Sequence, residues 1–199
     1  MMKITFEELT KHLLEDEFPS EYFNSLDKEL EQHPLTMLLE LKSVEQSKKY
    51  HPEGNVWNHT MMVVDEAAKV REHSRDKRVF MWSALLHDIG KPGTTKIRKG
   101  RITSYDHDAA GAGLSKKFLE FYTDDNDFIT KVSLMVRYHM HMLYVLKKLP
   151  FGDPSQMVKD IDIHEIALLC RCDRLGRVGA DREEEIKNYK EFLKMCQKR

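Results

Sequence analysis

The chain has 199 residues, of which 41% are hydrophobic and 33% are charged, and its formal net charge is −1. A chain of this length can bury about 70% of its unfolded surface, which fits one globular domain with an appended segment. The balance of 32 basic and 33 acidic residues argues against a general nucleic-acid coat protein. No apolar run approaches the roughly 18 residues that span a bilayer, and three cysteines without a signal peptide favour a cytoplasmic location.

Helical periodicity recurs along the sequence, and the alternating pattern of strands is nearly absent. Residues 1–50 are expected to form two or three short helices, the first opened by a capping box of Thr5 and Glu8. Longer helices are predicted over about 55–74, 77–89, 107–122, 126–145, 162–174 and 181–197. The polar stretch between the second and third of these is predicted to be a loop with a short hairpin around Lys99-Gly100. The sequence therefore predicts an all-α bundle.

Four of the predicted helices each place one imidazole or carboxylate on an apolar stripe. On the first of them, His59 faces inward because it follows the helical spacing of its apolar neighbours. The same spacing places His87, His139 and Asp173 on three further stripes. A lone buried histidine is usually a satisfied core residue, but Asp88 adjoins His87, so two polar groups would be buried at one spot.

A helical bundle can satisfy such groups together by building a metal site from facing helices. Neutral imidazoles with carboxylates suit Fe, Mn, Co, Ni or Zn, and they do not indicate a calcium cage. Because cysteine is absent from the set, the residues favour an open, catalytic site over a closed structural zinc site.

The order His59, His87-Asp88 and Asp173 resembles the HD-domain superfamily of metal-dependent phosphohydrolases. Within it, the sequence is most similar to the HD domain that follows the nucleotidyltransferase head in bacterial tRNA nucleotidyltransferases, the CCA-adding enzymes. The matching segments are YHPEGNVWNHTMMVVDEAA (50–68), ALLHDIGKPGTT (84–95), GRITSYDHDAAGA (100–112), VRYHMHM (136–142) and CRCDRLGR (170–177). The resemblance implies an HD-domain bundle with an internal metal site over residues 51–180, a helical lead-in at 1–50 and a C-terminal helix at 181–199.

The resemblance also implies which residues bind metal. Four ligands for one divalent ion, which could also be Mg, are His59, His87, Asp88 and Asp173. His107 and His139 match the extra histidines of two-metal members, in which the aspartate of the HD pair bridges both ions. The chain departs from the family at Asp106, where related domains often have glycine before the histidine.

No nucleotidyltransferase head is recognised in the sequence. In the related enzymes the head carries a Gly-Ser turn followed by an Asp-x-Asp pair on a strand. The Asp-x-Asp pairs that begin at Asp106, Asp125 and Asp160 follow no such turn. We therefore expect no addition of nucleotides to RNA.

The function implied by the resemblance is phosphodiesterase or phosphatase activity on a nucleotide, a 2′,3′-cyclic phosphate or a related phosphoester. Attack by a metal-bound hydroxide would start the reaction, since a bound ion lowers the pKa of water from 15.7 to about 7. The expected catalytic residues are Asp88, Lys91 and His107, the last as proton donor if only one ion binds. Cationic side chains would stabilise the phosphoryl oxygens. The candidates are Lys91, Lys96, Arg137, Arg174 and Arg177.

A non-catalytic module that binds RNA or a protein is the alternative, including a split partner of a separate nucleotidyltransferase chain. Its RNA binding would weaken steeply with salt and would be indifferent to His87→Ala and Asp88→Ala. The expected partner is a phosphorylated small molecule or an RNA end, without a membrane. The sequence does not predict an oligomeric state.

Overall fold

The computed structural model describes residues 4–26 and 28–197, and helices make up nearly all of its regular structure. The α-helices are α1 Phe6–Glu15, α2 Pro19–Ser25, α3 Thr36–Leu39, α4 Val56–Ala68, α5 Lys77–Leu86, α6 Lys91–Thr94, α7 His107–Glu120, α8 Asn126–Tyr138, α9 His141–Leu146, α10 Pro154–Asp160, α11 Ile163–Leu175 and α12 Arg182–Gln197. Short 3-10 helices span Glu29–Glu31, Glu40–Ser43 and Arg71–His73. Strands β1 Lys96–Arg98 and β2 Arg101–Thr103 form an antiparallel hairpin. The prediction of an all-α fold is confirmed, and so is the hairpin around Lys99-Gly100.

Side-chain caps start several helices where the sequence predicts them. The Glu8 amide donates to Thr5 Oγ1 at 3.1 Å, and the Asn58 amide donates to Asn55 Oδ1 at 2.9 Å. Asp162 likewise caps α11. Each cap satisfies one of the backbone N–H groups that a helix start leaves unpaired, which is why these residue types mark the boundaries.

Two predicted helices end earlier than the sequence indicates, and a histidine stands at each end. The helix predicted over 77–89 stops at Leu86, and the helix predicted over 126–145 is divided into α8 and α9. His87 and His139 follow α5 and α8, and each ring donates from Nδ1 to the carbonyl three residues earlier, at 2.8 and 2.7 Å. A side chain that donates to this carbonyl competes with the backbone N–H that would continue the helix. The spacing of apolar residues in the sequence does not reveal this hydrogen bond.

Two further differences from the predicted helices have local causes. Helix α4 ends at Ala68 instead of about residue 74, and a 3-10 turn at 71–73 continues the chain. Helix α10 is not among the predicted helices, because Gly152 and the neighbouring prolines Pro150 and Pro154 favour a loop. Pro154 is in fact the first residue of α10, with Asp153 as its side-chain cap. Proline is favoured at this position because a helix start has no partner for its missing N–H.

Helices α4, α5, α8 and α11 pack against one another at the centre of the molecule. Helix α7 lies along α8, α12 covers α11, and α1 and α2 cover α5 and α4. Phe6 of α1 stacks on Trp82 of α5, with ring centroids 5.0 Å apart. One cluster of buried apolar side chains runs from Phe6 to Cys196, so the domain boundaries at 50 and 180 stay predictions. Within residues 4–26 and 28–197, every helix is too short or too polar to cross a membrane.

Two glycines allow the backbones around the central helices to approach closely. A Cβ atom at Gly90 would lie 2.6 Å from the Gly111 amide nitrogen of α7 and would also strike the His107 carbonyl. A Cβ atom at Gly176 would lie 2.8 Å from the Val63 amide nitrogen of α4. Since backbone atoms obstruct both positions, side-chain rotation alone does not relieve these contacts.

We expect Gly90→Ala to lower the free energy of unfolding by about 2 kcal/mol or more, in the range of overpacked interiors. Gly113→Ala is the matched control, because Gly113 lies inside α7 with nothing within 4 Å of an added Cβ. Alanine should raise stability there by up to about 1 kcal/mol through helix propensity. Urea unfolding of both variants measures the difference, and equal effects would contradict the close approach at Gly90.

Candidate metal centre

Four buried histidines share one arrangement of their rings. Each donates from Nδ1 to a backbone carbonyl, and a carbonyl can only accept. The pairs are His59 with Gly176 at 3.1 Å, His87 with Ala84 at 2.8 Å, His107 with Ser104 at 2.6 Å and His139 with Val136 at 2.7 Å. Nδ1 therefore carries a proton in each ring, and in the neutral form of the ring Nε2 keeps its lone pair. Such hydrogen bonds orient metal-binding histidines in proteins.

The carboxylate of Asp88 lies between two pairs of these rings. Its Oδ2 is 3.2 Å from His87 Nε2 and 3.9 Å from His59 Nε2. Its Oδ1 is 3.4 Å from His107 Nε2 and 3.8 Å from His139 Nε2. Two compact sets of three ligand atoms result, and Asp88 belongs to both. The structure thus brings together five of the six residues that the sequence analysis proposes as ligands.

The sixth proposed ligand, Asp173, reaches the same centre through His59. Asp173 Oδ1 is 2.9 Å from His59 Nε2, and Arg177 Nη2 is 3.2 Å from the same oxygen. Burial alone would raise the pKa of Asp173, but the Arg177 guanidinium and the hydrogen bond to His59 hold it well below its usual range. Asp173 is consequently ionised at neutral pH.

The donor atoms fit a divalent cation better than they fit one another. His107 Nε2 and His139 Nε2 are only 3.1 Å apart, although both nitrogens carry lone pairs in the neutral tautomers. His87 Nε2 and Asp88 Oδ2 are buried and, among the described residues, have no aligned hydrogen-bond partner. Imidazole nitrogens with carboxylate oxygens are ligands of Zn, Fe, Mn, Co or Ni. A bound ion would satisfy these atoms together.

The pKa values set the protonation of the centre. Burial lowers the pKa of His107 and lowers that of His139 to about 3, and for His139 the neighbouring His107 and His87 add to the effect. Burial would raise the pKa of Asp88, but Lys91 and His87 hold it well below its usual value. At neutral pH, His107 and His139 are therefore uncharged imidazoles that can bind a metal, and they lie beside the ionised carboxylate of Asp88.

His59 differs from the other three rings. Burial would lower its pKa, but hydrogen bonds to Asp173 and to Glu53 raise it. Since Nδ1 already donates to the Gly176 carbonyl, the additional proton resides on Nε2 and faces Asp173. That proton occupies the position of His59 from which a metal would be bound.

Lys91 lies inside the centre. The side chain is buried, and Nζ is 2.7 Å from both Asp88 Oδ2 and Gln46 Oε1. The contact with Asp88 is an ion pair without hydrogen-bond alignment. The Lys91 ammonium group is thus the closest cation to the Asp88 carboxylate.

The other proposed phosphate ligands have different surroundings. Arg174 pairs with Glu185, and Arg177 pairs with Asp173. Arg137 Nη1 lies 2.6 Å from Asp108 Oδ2. Lys96 is exposed on the hairpin. Their contacts with a substrate stay predictions.

Glu53, which is not among the ligands predicted from the sequence, contacts the His59 ring. Its side chain is only 3% exposed, and Oε1 lies 2.8 Å from His51 Nδ1 and 3.1 Å from His59 Nδ1. Its Oε2 accepts from the Val178 amide at 3.4 Å. Burial would raise the pKa of Glu53, but the hydrogen bonds from His59 and His51 lower it to about 2. The signal in the sequence that could have identified Glu53 is its position in the segment 50–68, which resembles the HD family.

Comparisons with known proteins assign most of the chain to one family. The family described as HD domain matches residues 56–176. A multifunctional CCA protein of Actinobacillus pleuropneumoniae is 27% identical over 154 residues, which cover 72% of this chain and 36% of the relative. A protein of the same name from Nitrosospira multiformis is 32% identical over 145 residues, which cover 70% of this chain and 34% of the relative. Another from Alkalilimnicola ehrlichii is 26% identical over 186 residues, which cover 88% of this chain and 43% of the relative. The chain therefore spans less than half the length of these curated relatives.

We expect Glu53→Ala to weaken metal binding by about 10- to 100-fold, the usual cost of removing a group that orients a ligand. Glu53→Gln should lose less, because its amide oxygen still accepts from His59. Calorimetric titration with Mn or Zn measures the affinity, and nitrogen NMR of the imidazoles reports the tautomer of His59. The exposed Glu120 supplies the control variant Glu120→Ala. Unchanged affinity in Glu53→Ala would contradict the positioning role.

Metal binding should release a proton from His59. Because the pKa of His59 is raised in the metal-free protein, binding must displace its Nε2 proton below that pKa. The apparent affinity should accordingly rise with pH until the raised pKa is passed and then level off. Calorimetry in buffers of different ionisation enthalpy counts the protons. A count near one at about pH 6 is expected, whereas a count of zero there would refute the assignment.

Proposed function

The chain belongs to the HD-domain family, and on this premise we propose that it is a metal-dependent phosphohydrolase. The proposed substrate is a nucleotide, a 2′,3′-cyclic phosphate or a related phosphoester. The observation that carries the proposal is the pair of histidine sets that share the buried Asp88. A purely structural core has no need of four oriented imidazoles around one carboxylate, since burying such groups costs stability.

The residues divide into two sets of ligands around Asp88. One oxygen of Asp88 serves the set of His59 and His87, and the other serves the set of His107 and His139. A divalent ion held there supplies Lewis acidity and lowers the pKa of bound water. Asp173 is proposed to complete the His59 set, because its carboxylate faces the nitrogen of His59 that loses a proton on metal binding.

The remaining chemistry is assigned to groups of the chain. His107 is better suited to binding metal than to donating a proton, because its lowered pKa leaves Nε2 bare at neutral pH. Lys91 is proposed to stabilise negative charge on the phosphoryl oxygens, since its ammonium already lies beside Asp88. Arg177, which forms an ion pair with Asp173, is the second cation proposed for this role.

The comparisons support a substrate related to nucleotides or to RNA ends. The curated relatives are named multifunctional CCA proteins, and this chain matches about a third of their length in most cases. The shared part is the HD region, so we propose hydrolysis of a phosphoester and do not transfer the other activities of these relatives. A cytoplasmic location is part of this proposal.

The experiment is hydrolysis of 2′,3′-cyclic nucleotides, nucleoside monophosphates and bis(4-nitrophenyl) phosphate, with Mn, Ni, Co, Mg and Zn each added in turn. His87→Ala and Asp88→Ala should each lower the rate by more than about 100-fold, because each removes a group of the metal centre. His164→Ala removes an exposed imidazole and serves as the control. The proposal fails if no ion supports hydrolysis and elemental analysis finds no bound metal. Salt-dependent RNA binding that ignores His87→Ala and Asp88→Ala would then favour the non-catalytic module.

A further inference from the structure

The tip of the hairpin concentrates positive charge in an unfavourable arrangement. Arg98 and Arg101 are directly opposite each other in the register of β1 and β2. Like charges at such a pair destabilise a sheet. Lys99, which turns the chain between them, has a φ of 50°, in the left-handed region that favours glycine. The sequence therefore keeps three cations where folding alone would favour other residues.

The pleat places these cations beside an exposed aromatic ring. Lys96 and Arg98 share one face of the hairpin, because alternate residues of a strand point to the same side. The Arg98 guanidinium lies 4.7 Å from the centroid of the Tyr105 ring, and Tyr105 is 59% exposed. Ile97, on the opposite face, is 79% exposed. One face thus combines a π surface with positive charge.

The charge of the hairpin has no acidic partner in the part of the chain that the structure describes. Lys96, Arg98, Lys99 and Arg101 are all exposed, and no carboxylate of residues 4–26 or 28–197 forms an ion pair with them. Arginines elsewhere in the molecule do have such partners, as Arg137 has Asp108. These exposed cations are therefore accessible to an anion from outside the chain.

The base of the hairpin is joined to the metal centre on both sides. Thr95 Oγ1 and Ser104 Oγ are 2.7 Å apart and close the base of the hairpin. The Thr95 amide donates to the carbonyl of Lys91, and the Ser104 carbonyl accepts from His107 Nδ1. The hairpin is therefore connected at one end to Lys91 and at the other end to His107, both of which belong to the centre.

We propose that the hairpin and Tyr105 form a docking surface for a single-stranded nucleic acid. Arg98, Lys99 and Arg101 contact its phosphates, and a base stacks on Tyr105, the combination by which proteins bind single strands. The exposed ring beside Arg98 favours a nucleic acid over an acidic peptide, because every base offers a π face. The further step, in which the bound strand presents a terminal phosphoester to the metal centre, rests on the proposed function.

The test is fluorescence anisotropy with a labelled oligouridylate of about 12 nucleotides, titrated over a range of salt concentrations in EDTA. Arg98→Gln/Arg101→Gln should weaken binding by about 10-fold or more and reduce the slope of log affinity against log salt by about 1.4, or 0.7 per phosphate contact. Lys116→Gln/Lys117→Gln removes the same charge from the exposed side of α7 and is the matched control. Equal binding by the two double variants overturns the proposal.

Tyr105 is tested separately from the charges. Tyr105→Leu should weaken binding of oligouridylate by about 10-fold, within the range of base stacking, and leave the salt slope unchanged. The variant should bind an abasic strand of equal length as tightly as the unaltered protein does, and Tyr105→Phe should restore binding of oligouridylate. An equal loss on both strands would exclude stacking.

Two further measurements separate this surface from its alternatives. Failure of the unaltered protein to bind the oligonucleotide at low salt, or stronger binding to phosphatidylserine vesicles than to the oligonucleotide, overturns the docking surface. Hydrolysis of bis(4-nitrophenyl) phosphate is measured independently on the same protein. A protein that binds the strand in EDTA but hydrolyses no phosphoester with any ion retains the surface and loses the proposed function, and the converse result removes only the surface.

Discussion

The hydrogen bond from a histidine Nδ1 to a backbone carbonyl is the constraint on which this centre depends. It occurs in four histidines, and in each it places a proton on Nδ1 and turns Nε2 toward the carboxylates of Asp88 and Asp173. For His87 and His139 the same bond also coincides with the end of a helix, so ligand orientation and helix termination have one cause. The chain must then bring these helix ends together, which is why a glycine stands where the turn after α5 meets α7.

Charge balance explains the residues that surround the ligands. Asp88 and Asp173 are buried carboxylates, and burying them without compensation would be costly. The Lys91 ammonium lies beside Asp88, while the Arg177 guanidinium and the His59 ring lie beside Asp173. The contact with Asp173 raises the pKa of His59, and a metal cation at the centre would compete with the proton that this favours. Metal binding at this centre would therefore depend on pH.

The sequence predicts those parts of the fold and site that follow from local rules. Helical spacing placed His59, His87 and Asp173 on inward faces because side-chain direction repeats with the helix turn. It did not predict the break at His139, since a bond from a side chain to its own helix leaves the apolar pattern intact. It also missed Glu53, whose contact with Val178 joins residues 125 positions apart. At Asp106, where the resemblance implies glycine, the φ of 61° is in the left-handed region that glycine adopts without strain.

The hairpin and the metal centre are directly connected along the chain. The hairpin follows α6, which contains Lys91, and ends shortly before His107, and the Thr95–Ser104 contact lies at its base. A displacement of the strands would therefore pull on the carbonyl of Ser104 that orients the His107 ring. Because that ring faces Asp88 Oδ1, any effect of an occupied hairpin on the set of Asp88, His107 and His139 would act in both directions with the same free energy, as linkage between two sites requires.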